Sequence, residues 1–147
     1  MIDSHSQELL QNLLRRESRS ELMYVAEAYP WTSSTETRTL GQLQELIAEE
    51  RDAVTHLGRF LVRHRVPLPF LPSFPSHFTT INFLALDFIL PRLIEYERHS
   101  IDELERDLAT AKDPAAHREM EKLRNLKRHH LTRLEALAAC HPQANAS

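Results

Sequence analysis

Four stretches of the chain repeat apolar side chains at intervals of three and four residues, the spacing that lines one face of an α-helix. The first, about residues 4–29, carries Leu10, Leu13, Leu14, Tyr24 and Ala28. Ser4 reads as its N-cap with Gln7 as reciprocal capping partner, and Pro30 stops it. The second, about 34–65, opens after Ser33 and carries Leu43, Leu46, Ile47, Ala53, Val54, Leu57 and Leu61. The third, about 77–112, follows Ser76 and carries Phe83, Leu86, Leu90, Leu93, Ile94, Ile101, Leu104 and Leu108. Within it Pro91 should free the carbonyl of Asp87 and kink the helix. The fourth, about 114–139, has the clearest start, with Asp113 as N-cap and Pro114 in the first helical position. Its stripe is Met120, Leu123, Leu131, Leu134 and Leu137, and residues 140–147 read as a flexible tail.

Helices of this length span roughly 39–54 Å at 1.5 Å per residue. Matched lengths, two short turns and one long connection predict an all-α antiparallel four-helix bundle occupying 1–147 as a single domain. The long connection, Val66 to Pro75, holds Pro67, Pro69, Pro72 and Pro75. Extended as polyproline it reaches roughly 30 Å, enough for a crossover along the bundle, although a plain up-down path also fits. Only two glycines occur, Gly41 and Gly58, which argues against hairpin-rich β folds. Residues 66–91 hold five of the six phenylalanines and one charge, Asp87. Its prolines leave too short an apolar helix to cross a membrane, so the segment reads as a crossover packed on the core or as a homodimer surface.

Net charge is −3, from 21 acids against 18 bases, which lacks the surplus of cations a dedicated nucleic-acid binder uses. The basic side chains of the fourth helix, such as Arg124 and Arg128, read as a solvated face. The single Cys140 excludes an internal disulfide and a Cys-rich zinc site. No stretch in residues 1–20 resembles a signal peptide, so a cytoplasmic location is expected. Neither a phosphate-binding glycine loop nor a nucleophile elbow is present, and nucleotide-dependent catalysis is not expected.

The informative positions are charged residues on apolar faces. Glu17 sits in the first stripe, Glu50 at the centre of the second and Glu97 in the third between Ile94 and Ile101. Lys127 and His130 lie among the leucines of the fourth. Glu17, Glu50, Glu97 and Lys127 each lie about 13–15 residues from the nearest short turn, roughly 20 Å of helix, so the four helices should bring them to one mid-plane layer. Buried charges must be paired or bound to metal. Glu21 and Asp87 are possible additional members.

With Glu17-Ser18 followed seven residues later by Tyr24, and Glu97 as a counterpart, the chain resembles the ferritin-like superfamily, its rubrerythrin-type branch above all. That resemblance implies a site in which each helix pair supplies a Glu and a Glu-x-x-His, holding two iron or manganese ions. On it Glu17, Glu50, Glu97 and His130 are candidate metal ligands, with Tyr24 supporting the layer. The ligand set is incomplete. The second helix reads Glu50-x-x-Ala53, and the alternative Glu49-x-x-Asp52 points away from the stripe. The fourth reads Lys127-x-x-His130, with an ammonium in place of a carboxylate. Two functions follow as the main expectations, beside a weaker third, a module that binds an anionic partner through the basic fourth helix. One is a non-catalytic binding or structural module, a homodimer whose polar layer binds no metal. The other is an iron- or manganese-binding oxidase or iron-handling protein.

Overall fold

The computed structural model describes residues 1–28, 36–83 and 85–140, and every regular element among these is helical. The elements are α1 (Ser4–Ser18), α2 (Glu21–Ala28), α3 (Thr37–Arg63), a 3₁₀ segment (Ser76–Phe83), α4 (Leu86–Thr110) and α5 (Pro114–Ala139). None of these helices is long and apolar enough to cross a membrane. The expected stop at Pro30, the cap at Ser33 and residues 141–147 of the tail lie outside the described residues.

Two helices differ from expectation for local reasons. The first is broken at Arg19–Ser20, because the Ser20 hydroxyl accepts a hydrogen bond from the Met23 amide (3.3 Å) and so caps a second helix. Its start is also one residue earlier in role: Asp3, not Ser4, is the N-cap and accepts from the Ser6 amide (3.1 Å). Gln7 instead donates to the carbonyl of Ile2 (2.7 Å). Ser76 opens a 3₁₀ segment rather than the third long helix, which begins only at Leu86 and continues through Pro91. By contrast α5 runs over Pro114–Ala139 as its sequence predicts, with the Asp113 carboxylate accepting from the Ala116 amide (2.9 Å).

Apolar stripes build two clusters. One joins Leu22, Leu43, Leu46, Leu86, Leu90 and Leu134; the other joins Leu10, Leu13, Leu57, Leu61, Leu104 and Met120. Along the chain, α3 and α4 both pass from the first cluster to the second, whereas α1–α2 and α5 pass from the second to the first. Glu17, Glu50, Glu97, Lys127 and His130 occupy the helix positions between these clusters, all buried.

After α3 the chain runs beside α1. Residues 66–75 form no regular element, so their carbonyls need outside donors. Three side chains four residues apart, two on α1 and one at its C-cap, provide them: Gln11 to the carbonyl of Pro67 (2.8 Å), Arg15 to that of Phe70 (3.4 Å) and Arg19 to that of Pro72. The strap then enters an aromatic group in which Phe78, 1% exposed, packs against Tyr24 and Tyr96 with ring centroids 5.8 and 5.9 Å away.

The end of α3 is a Schellman motif. The Val66 amide bonds the carbonyl of Leu61 (2.9 Å), the Arg65 amide bonds that of Val62 (3.1 Å), and Arg65 takes φ 57°. A left-handed conformation costs a side-chain-bearing residue about 1–2 kcal/mol. Arg65→Gly is therefore expected to stabilise the protein by about 1 kcal/mol, read as a higher midpoint in urea unfolding without a change in slope.

Candidate functional site

One helix face from each of α1, α3, α4 and α5 delivers a charged side chain to the same point. Lys127 of α5, 0% exposed, lies 2.7 Å from Glu17 Oε2, 2.8 Å from Glu50 Oε1 and 3.0 Å from Glu97 Oε1. An ammonium has three N–H donors, and here each finds its own carboxyl oxygen. The remaining oxygens of this set are nearly all occupied. Ser100 donates to Glu17 Oε1 (2.8 Å), and His130 Nδ1 faces Glu50 Oε2 (2.8 Å). His130 Nε2 in turn faces Glu49 Oε2 (2.8 Å), which also accepts from Arg133 (2.8 Å). Glu97 Oε2 is buried and has no hydrogen-bond partner among the described residues.

The protonation pattern follows from these contacts. Burial would raise the Glu50 carboxyl, but the Lys127 charge and the hydrogen bonds from His130 and Lys127 outweigh it and bring it down to about 2. Glu97 has burial against it as well, only Lys127 in its favour, and the charges of Glu50 and Glu17 opposing ionisation, so it is pushed up to about 8. Burial disfavours the Lys127 ammonium, yet Glu17, Glu50 and Glu97 raise its pKa well above the ordinary lysine value. The two ring nitrogens of His130 lie between Glu50 and Glu49, each 2.8 Å from a carboxyl oxygen. Burial and the neighbouring charges of Glu50 and Glu17 favour the protonated form of Glu97.

Of the residues singled out from sequence, Glu17, Glu50, Glu97, Lys127 and His130 meet in this layer. Glu21 does not join it; it is 5% exposed, paired with Arg92 (3.2 Å), and raised by burial that the arginine only partly offsets. Asp87 lies in the first turn of α4, ten residues from Glu97 and so about 15 Å along the helix. The Tyr24 ring packs on Phe74, with centroids 5.3 Å apart, and on Phe78. It is Tyr96 whose hydroxyl responds to the layer: burial and then the Glu17 charge hold it up at about 12.

Sequence reasoning missed Ser100 and Arg133 and set Glu49 aside as pointing away from the stripe. Ser100 lies three residues from Glu97 and thus on the same helical face. Glu49 is 48% exposed and reaches in from the flank, so no apolar stripe marks it.

Glu50, Glu97 and His130 each present a ligand atom within 4.8 Å of the others, a separation that suits a metal ion. The Lys127 ammonium, however, is hydrogen-bonded to two of those three residues, Glu50 and Glu97. While protonated it cannot coordinate, and it repels a cation placed beside it. The chain's residues fit a resident dimetal centre poorly. No family model, curated protein or solved structure matches this chain.

The two displaced carboxyls give opposing pH dependences. Glu50, depressed to about 2, binds fewer protons folded than unfolded, so its contribution is present above about pH 4.5 and is lost as pH falls toward 2. Glu97, raised to about 8, binds more protons folded than unfolded between about pH 4.5 and 8, so stability falls as pH rises through that window. Glu97→Gln, a neutral mimic of the protonated acid, should remove this contribution: urea midpoints of the variant should decline less from pH 5 to 8 than those of the parent.

Proposed function

We propose that the chain is a ferritin-like four-helix bundle in which the Lys127 ammonium stands where the resembling family holds metal, and that it serves as a non-catalytic binding or structural module. The observation that carries this reading is the set of three contacts from Lys127 Nζ to Glu17, Glu50 and Glu97, at 2.7, 2.8 and 3.0 Å. A fixed cation balances the acids permanently, so the layer needs no exchangeable ion to fold. The order in which the helices visit the two apolar clusters supports the ferritin-like arrangement, since α3 and α4 run the same way and their connection must return along the bundle. Exposed Leu68, Phe70 and Leu71 on that connection favour a homodimer.

A second reading, an iron- or manganese-dependent oxidase or iron-handling protein, is favoured by the spacing of Glu50, Glu97 and His130. Elemental analysis separates the two after anaerobic loading with Fe(II) or Mn(II) and desalting. The proposal expects no retained metal. Retention of one or two equivalents that Glu17→Ala abolishes would establish the second reading instead.

Lys127→Met gives a further expectation. It leaves buried carboxyls without their cation, a loss of about 3–5 kcal/mol, and should lower the thermal midpoint sharply. An unchanged midpoint would remove the layer from any structural role.

A further inference from the structure

A cavity of about 410 Å³ opens between α1, α4 and the proline strap, and its floor reaches Glu17 and Ser100. That volume lies within the range of small-molecule sites. Its walls are largely apolar where Pro72, Pro75 and the Tyr96 ring line it, and three arginines, Arg15, Arg16 and Arg19, stand around it.

The charges of this cavity do not cancel. Glu17 at the floor is held by Lys127 and Ser100. Glu103 is matched by Arg16 (3.1 Å) and His99 (2.7 Å), and Arg16 also holds Asp107 (2.9 Å). Among the described residues, Arg15 and Arg19 have no acid partner. Arg15 donates to the Phe70 carbonyl and to the Asn12 side-chain oxygen (3.1 Å), and Arg19 to the carbonyls of Pro72 and Ser18. All four acceptors are neutral, and each guanidinium has five N–H donors, so donors remain on both. Both line the cavity and bond carbonyls only two residues apart on the strap, Phe70 and Pro72, which places these two cations together at the mouth.

We propose that this cavity is a binding site for a small organic anion, an apolar body carrying one carboxylate. The carboxylate sits at the mouth between Arg15 and Arg19, where charge-assisted hydrogen bonds to a guanidinium are about twice as strong as those to the neutral carbonyls now held there. The body lies inward against Tyr96, Pro72 and Pro75. A second carboxylate at the floor would meet Glu17 and is disfavoured. The phenol of Tyr96, held up at about 12, stays a donor throughout the neutral range. This site borders the buried layer at Glu17 and Ser100 and goes beyond the structural role proposed above.

The test uses 2-naphthoate as probe, with neutral 2-naphthamide and cationic 2-naphthylmethylamine as comparators, read by ligand-observed NMR and calorimetry on the full chain. Naphthoate should bind roughly tenfold or more tighter than the amide, the value of one charge-assisted contact. Arg15→Gln with Arg19→Gln should abolish that preference, whereas Arg128→Gln on the far face of α5 should leave it intact. Because the arginines also staple the strap, a second variant, Ser73→Trp, plugs the cavity while keeping both guanidiniums, and it should abolish naphthoate binding. Equal binding of all three probes, naphthoate affinity unchanged in the double arginine variant or in Ser73→Trp, or no naphthoate binding in the parent at about 10 mM would each overturn the proposal.

Discussion

A lysine buried completely in a helical protein must meet acceptors for its charge, and in this chain four helices are arranged so that it does. Lys127 takes three hydrogen bonds to three carboxyls that come from three other helical segments, separated from it by 110, 77 and 30 positions in sequence. Desolvating such a group costs several kcal/mol, and only good geometry with further hydrogen bonds offsets it. The extra bonds from Ser100 and His130 belong to that offset. Glu97 completes it by keeping its proton, which avoids a third negative charge against too little positive charge.

The layer also sets how the helices slide against one another. Apolar clusters lie on either side of it, and leucine on leucine tolerates small shifts. A slip of one helical turn, about 5.4 Å, would pull a carboxyl away from Lys127 and strand it unpaired. The polar centre thus defines the register that the apolar ends would leave loose. His130 joins this centre to the surface, since its second ring nitrogen reaches half-exposed Glu49 and through it Arg133. On the opposite side Ser100 and Glu17 border the strap cavity.

The sequence was most legible where a single periodicity ran unbroken. Asp113 and Pro114 marked the start of α5, and the leucines carried it to Ala139. The buried charges were legible for the same reason, because Glu50 among Ile47 and Leu57 violates an otherwise apolar stripe. What escaped depends on local competition or on distance. The break after Arg19 needs a single serine hydroxyl to win over helix continuation, and Ser4 was mistaken for the cap because Asp3 stands beside it with a comparable side chain. The 3₁₀ segment before α4 is held by Phe78 among aromatic rings from α2 and α4, a tertiary cause that periodicity does not carry. Glu49, off the stripe, reads as outside the layer for a related reason: it bonds His130 from an exposed flank.

The central claim is that a protonated lysine permanently occupies the middle of the bundle. Nitrogen-15 NMR of the side-chain ammonium groups measures this most directly, with Lys127→Met used to assign the signal. The account predicts an ammonium resonance at neutral pH that is protected from exchange with water, persists when Mn(II) or Fe(II) is added anaerobically, and is absent from the variant. A neutral amine signal, or an ammonium that exchanges as fast as the surface lysines, would contradict it.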